Sequence, residues 1–163
     1  MKQSLFVLMA FVLALALCAC SSIDCPVQNT VRTLYVLKKQ NAEPDTLKDT
    51  LYIFTTRANG SDTLLLNAAI NLSTLSLPIG YSNPEDTLIF YFRNDPFQAL
   101  DTVWLKKDNF PHFESVDCSA SFFHNITAVR STHNAIDSIV INNPSVTYDP
   151  ETEHFHLYLK SRN

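Results

Sequence analysis

Glycine is nearly missing from this chain, with Gly60 and Gly80 the only two in 163 residues. A phosphate-cradling loop needs several glycines at close spacing, so the nucleotide-binding loops are excluded. No serine stands between glycines as a hydrolase nucleophile would, and no histidine pair has zinc-protease spacing on a helix. Basic charge is also sparse. Twelve Lys and Arg, scattered apart from Lys38-Lys39 and Lys106-Lys107, face 16 Asp and Glu, which disfavours a nucleic-acid partner. Helical patterning is absent as well, because no segment keeps a 3.6-residue apolar period over three turns.

What the chain does have begins at once. Lys2 is followed by an unbroken apolar run from Leu5 to Leu17, closing on Leu17-Cys18-Ala19-Cys20. The run has the length of a signal-peptide core and is shorter than the roughly 20 residues that span a bilayer. Cys20 is preceded by the small Ala19 and, three positions back, by Leu17, the pattern of a bacterial lipoprotein signal. Cys18 follows the bulky Leu17 and fits poorly. Cys20 is therefore the predicted site of diacylglycerol attachment, with an ordinary secretory signal cut elsewhere as the alternative. Acyl chains in this number hold a protein stably on a membrane. The expected location is the cell envelope, at the outer membrane, with the membrane face left open.

Cleavage before Cys20 removes residues 1–19, including Lys2, and leaves 144 residues with 11 basic against 16 acidic side chains, a formal charge of −5. Residues 20–30 read as a short lipidated tether containing Pro26, and residues 31–163 as a single domain large enough for a real core. With Cys18 discarded and Cys20 acylated, Cys25 and Cys118 remain. Two thiols outside the cytoplasm predict a disulfide, the alternative being two free buried thiols.

Short β-type segments with Asn, Asp and Pro punctuation fill the body. Strands are predicted at Val31 to Lys38, Thr50 to Thr56, Asp62 to Asn67, Thr87 to Arg93, Thr102 to Lys106, Phe113 to Val116, Ser121 to Arg130, Ala135 to Ile141 and Glu153 to Lys160. Asn59-Gly60 marks a hairpin turn, and Ala68 to Ser82 reads as extended. Leu88, Phe90 and Phe92 share one face while Ile89 and Tyr91 share the other, which predicts a central strand. Asn109-Phe110-Pro111 should end the strand that contains Trp104. In the last strand Phe155, Leu157 and Leu159 should point inward and His154, His156, Tyr158 and Lys160 outward. The expected fold is all-β: an antiparallel β-sandwich, immunoglobulin-like in outline, after an N-terminal signal helix.

One tripeptide recurs: Asp45-Thr46-Leu47, Asp49-Thr50-Leu51, Asp62-Thr63-Leu64, Asp86-Thr87-Leu88 and Asp101-Thr102-Val103, with Asp137-Ser138-Ile139 as a variant. Aspartate can close a turn by accepting nearby backbone N–H groups while Thr and Leu open a strand. The same tripeptide resembles the O-glycosylation sequon of exported Bacteroidetes proteins, which makes Thr46, Thr50, Thr63, Thr87, Thr102 and Ser138 candidate glycan sites.

Asp24-Cys25-Pro26, Leu75-Ser76-Leu77-Pro78-Ile79, the run Asp86 to Phe92, and Asp117-Cys118 together resemble a family of small uncharacterised Bacteroidetes lipoproteins, over most of residues 24 to 160. Where that family has glycine after the second cysteine, this chain has Ser119. The resemblance implies an envelope protein and carries over no catalytic residue.

His154 and His156 leave one face of a strand and would suit zinc if His112 or Glu114 came near, though a solvated polar face is the commoner use of such residues. Calcium-loop spacing is missing. No metal and no cofactor is expected, and the chain is read as a non-enzyme. The predicted role is a lipid-anchored binding or structural module facing an envelope protein or a glycan. The alternative is a hydrolase acting on envelope or extracellular glycans through carboxylates distant in sequence. A deep cleft with convergent carboxylates would favour the latter.

Overall fold

In the computed structural model, residues 31–56, 60–116 and 118–161 are described. The signal segment, Cys20, the tether and Cys25 lie outside them. The described residues form ten strands: β1 (Arg32–Lys38), β2 (Thr50–Thr56), β3 (Asp62–Ala69), β4 (Thr74–Pro78), β5 (Glu85–Asn94), β6 (Phe97–His112), β7 (Ser121–Ser131), β8 (Ile136–Ile141), β9 (Ser145–Val146) and β10 (Glu153–Leu159). A four-stranded sheet in the order β4-β1-β10-β8 packs on a six-stranded sheet in the order β3-β2-β5-β6-β7-β9. The molecule is a β-sandwich, as its alternating apolar positions require.

Alternation decides which side chains meet between the sheets. Leu88, Phe90 and Phe92 of β5 are buried, as are Leu51 and Ile53 of β2 and Val103 and Leu105 of β6. Each fully buried side chain of this kind contributes about 1.5–3 kcal/mol. From the opposite sheet come Tyr35, Leu37, Leu75, Leu77, Ile136, Phe155 and Leu157. Tyr35 stacks on Phe155 at 4.6 Å and meets Phe90 edge-on at 6.3 Å, so one ring joins β1 to its neighbour β10 and to β5 across the core. The central place expected for the Thr87 to Arg93 strand is found, since β5 lies between β2 and β6.

Four expectations are corrected in detail. The sandwich is mainly antiparallel, but β1 and β10 pair parallel, with a register shift between Leu34 and Tyr35. The strand that contains Trp104 does not stop at Asn109-Phe110-Pro111; β6 runs sixteen residues. Its pairing with β5 ends at Glu85 opposite Lys106, while its pairing with β7 continues to His112 opposite Ser121. Pro111 therefore sits where one side of β6 has no strand neighbour, a place where proline is tolerated. Phe113 to Val116 forms no strand and belongs to the β6–β7 connection. His154, expected outward, is buried.

The connections follow local chemistry. Gly60 takes φ 79° in the β2–β3 hairpin, a conformation that costs glycine little. The stretch Ala68 to Ser82 carries positive φ at Ala68 and Asn71 before β4 begins. Asp95-Pro96, between β5 and β6, is a cis peptide.

Candidate functional site

A cleft of about 720 Å³ opens where β1 hands over to β2. Its floor is built locally. Lys39 N–H donates to the Glu43 carbonyl and Ala42 N–H to the Lys39 carbonyl, forming a tight turn, and Asp45 N–H returns to the Leu37 carbonyl. Leu47 then dives into the core and forms a bridge to Leu72. The rim carries Lys39, Lys48 and Lys160, together with Asp45 and Asn94, and the buried Asp49 lies beneath them. Phe97, the first residue of β6, also lines the cleft.

Both carboxylates of the cleft are engaged in hydrogen bonds. Asp49 is buried and accepts a hydrogen bond from Asn94 Nδ2 at 3.1 Å. Asp45 accepts from the Thr46 N–H at 2.8 Å. Elsewhere among the described residues, three carboxyl groups have displaced pKa values, and all three are pushed down. Burial acts to raise Asp101, but the backbone N–H groups of Asn134, Ile136 and Ala135 and the Thr132 hydroxyl outweigh it. A hydrogen bond from Thr152 lowers Asp149, and one from His156 lowers Glu153.

A second, smaller cavity of about 310 Å³ lies beside the segment that joins β4 to β5, with Ile79, Gly80, Asn83 and Asp86 in its wall. Behind it Lys107, whose side chain is fully buried, places Nζ 2.8 Å from Asp86 Oδ1 and 3.1 Å from the Asn83 carbonyl. Asp86 Oδ2 accepts the Gly80 N–H at 2.9 Å. A side chain at position 80 would bring a Cβ to 3.0 Å from Asp86 Oδ1, so the carboxylate would have to give way by a few tenths of an ångström. Asn109 Nδ2 holds the Tyr81 carbonyl at 3.0 Å and its Oδ1 meets His124 Nδ1 at 2.7 Å. Burial, and then the Lys107 charge, push the His124 pKa down to about 4. The cluster fastens the segment from Gly80 to Pro84 onto β6 and β7.

Asp101 was singled out in the sequence only as part of a repeat. It is fully buried and accepts four hydrogen bonds: from the Thr132 hydroxyl at 2.8 Å, the Asn134 N–H at 2.7 Å, the Ala135 N–H at 2.7 Å and the Ile136 N–H at 2.8 Å. These bonds tie β6 of one sheet to the start of β8 in the other. The remaining repeat aspartates are also engaged: Asp62 accepts from the Thr56 hydroxyl and Asp137 from Gln40. Of the six candidate glycan positions, Thr46 is exposed, whereas Thr50, Thr63, Thr87, Thr102 and Ser138 are half-buried in strands.

The histidines do not converge. His112 pairs with Glu114 at 3.0 Å and stacks on Phe123 at 4.2 Å, whereas His156 pairs with Glu153 at 2.9 Å. His154 Nδ1 accepts the Leu34 N–H at 3.0 Å, beside the register shift between β1 and β10, and so supplies a bond that the irregular ladder lacks there. Burial lowers its pKa; the Ser145 backbone and Asp149 favour the cation, although Nε2 makes no hydrogen bond of ordinary geometry. No group of three or more His, Cys, Asp or Glu suited to a metal occurs among the described residues.

Cys118 is buried and its sulfur is engaged in a disulfide. The partner is outside the described residues, as is Cys25. Residues 51–159 match the model of a family of unknown function, DUF6452. The chain belongs to that family. The match leaves out β1, although β1 is an inner strand of the four-stranded sheet, between β4 and β10. No curated protein and no solved structure matches the chain.

Proposed function

We propose that this DUF6452 protein is a lipid-anchored binding module of the bacterial cell envelope, held at the outer membrane through Cys20 and clamped by a Cys25–Cys118 disulfide. The family match itself carries no activity. The observation that carries the reading is the placement of the cleft relative to Cys118. Phe97 lines the cleft and starts β6; His112 ends β6, and the chain reaches Cys118 six residues later. At about 3.3 Å per residue the strand separates the two ends by about 50 Å. A domain fastened at the Cys118 end would present the cleft away from the membrane.

The cleft fits a polar ligand better than an apolar one. Lysine, asparagine and aspartate surround a single aromatic ring, the composition expected for an envelope glycan with hydroxyl and carboxylate groups. The proposed role is binding without catalysis. Exposed Thr46, on the same rim, is the position most open to a glycan of its own. The test is affinity capture of solubilised envelope glycans on the native protein and on a Lys48→Glu/Lys160→Glu variant. Retention by the native protein that the variant loses supports the reading, and equal retention by both sinks the cleft as the binding surface.

A further inference from the structure

The end of the sandwich opposite the cleft is apolar where it should be polar. Phe113 is 62% exposed, Val116 97%, Tyr81 60% and Phe110 52%, all around the β6–β7 connection that leads to Cys118. Tyr81 is held in place: it lies flat on Phe122, with ring centroids 4.6 Å apart and planes 4° from parallel, and the segment that carries it is fastened by Asp86, Lys107 and Asn109. A monomer rarely leaves such a cluster in water without a use for it.

We propose that this aromatic end rests on the bilayer surface that receives the lipid anchor, with Phe113, Val116, Phe110 and Tyr81 entering the interfacial layer. The inference rests on the lipid-anchored reading and extends it to a named surface. Chain length supplies the argument. Five residue steps separate Cys20 from Cys25, at most about 18 Å of extended chain. A disulfide then adds a Cα separation of about 6 Å. A lipidated Cys20 cannot stand more than about 24 Å from Cys118, whereas β6 spans about 50 Å between Phe97 at the cleft and His112 at the other end. Of the exposed apolar side chains, those flanking Cys118 are therefore brought to the membrane. Tyrosine and phenylalanine are also the side chains that favour the headgroup layer, where a ring can be buried while a hydroxyl stays wet.

The test uses the full-length lipoprotein purified from membranes and reconstituted in vesicles of phosphatidylethanolamine and phosphatidylglycerol. Trp104, the chain's one tryptophan, sits mid-strand and serves as the internal control; a W104F/F113W variant moves the reporter to the tip. The indole of that variant should emit further to the blue in vesicles than in detergent, and spin-labelled lipid should quench about half of its emission, while native Trp104 is spared. A blue shift without quenching would mean that protein covers the surface, and no change would mean that water does; either overturns the proposal. Mass spectrometry of the N-terminal peptide from the same sample tests the anchor separately. Acyl chains on Cys20 with an unquenched reporter in the W104F/F113W variant defeat only the surface, whereas a Cys20 without lipid defeats the anchor and the surface together.

Discussion

Lys107 Nζ lies 2.8 Å from Asp86 Oδ1, and the lysine side chain has no exposed surface. A buried charge that loses its counter-charge is far more costly than the intact pair is helpful. Asp86→Asn should therefore destabilise the fold by about 3–5 kcal/mol, and Lys107→Met should cost less, because the surviving carboxylate still accepts the Gly80 N–H and is partly solvated. Urea denaturation of the two single variants and the double variant measures this. A double variant no worse than Lys107→Met alone would show the two charges acting as one unit, and strictly additive losses would count against the pair.

Asp101 should prove the most sensitive of the repeat aspartates. Its two oxygens accept three backbone N–H groups and a hydroxyl. Asp101→Asn replaces one acceptor oxygen with an amide that must itself donate, leaving buried N–H groups of Ala135 and Ile136 opposite a donor. The expected cost is about 2–4 kcal/mol, with amide exchange at residues 134 to 136 accelerating before that of the β5 core. Asp62→Asn, at an exposed hydrogen bond, should change stability by less than about 0.5 kcal/mol.

The sheets were legible in the sequence because period-two alternation is a direct consequence of burial. Leu88, Phe90 and Phe92 against Ile89 and Tyr91 specified a central strand, and Phe155 and Leu157 specified inward positions. What alternation does not encode is the identity of a strand's neighbours. β1 pairs parallel with β10, from the far end of the chain, and no local pattern marks such a partner. Lys107 shows where the reading of the site could have gone further. Val103, Leu105 and Lys107 fall on one inward face, and a lysine at an inward position requires a buried counter-charge. His154 misled for the opposite reason, because its ring replaces a missing ladder bond beside the register shift between β1 and β10, an irregularity the sequence does not announce. The cleft was not legible at all, being assembled from the ends of β1, β5, β6 and β10.

Acidification should weaken the fold first through two histidines. Burial and the Lys107 charge hold the His124 pKa at about 4, against an ordinary 6.5, with Asp86 opposing; burial also lowers His154. Between those values the unfolded chain binds protons that the folded chain refuses, so the stabilisation is complete above pH 6.5 and is lost as pH falls toward 4. Below the ordinary carboxyl value of 3.8, protonation of Asp101, whose folded pKa is lower still, removes a further contribution. Calorimetry at about pH 7, 5.5 and 4.5 should show a falling Tm, and His124→Gln should flatten the slope over that interval. A Tm that holds constant from about pH 7 to 4.5 would refute the assignment.

The proposed Cys25–Cys118 pairing has consequences for both connectivity and stability. Non-reducing peptide mapping of freshly alkylated cells should recover one cross-linked peptide containing both residues. Finding Cys25 carrying the alkylating reagent would break the clamp, and with it the distance argument that brings Phe113 to the membrane. This cross-link would close a loop of about 90 residues that contains β1 to β6, for which the loss of chain entropy in the unfolded state would amount to about 4–5 kcal/mol at most. Reduction should therefore lower the urea midpoint without changing the strand content of the folded state, since Cys118 lies in the β6–β7 connection and outside every strand. Because the bridge would tie the chain ahead of β1 to the start of β7, reduction should also raise exchange at the β1 amides more than at those of β5, which is held between β2 and β6 whether or not the bridge is present.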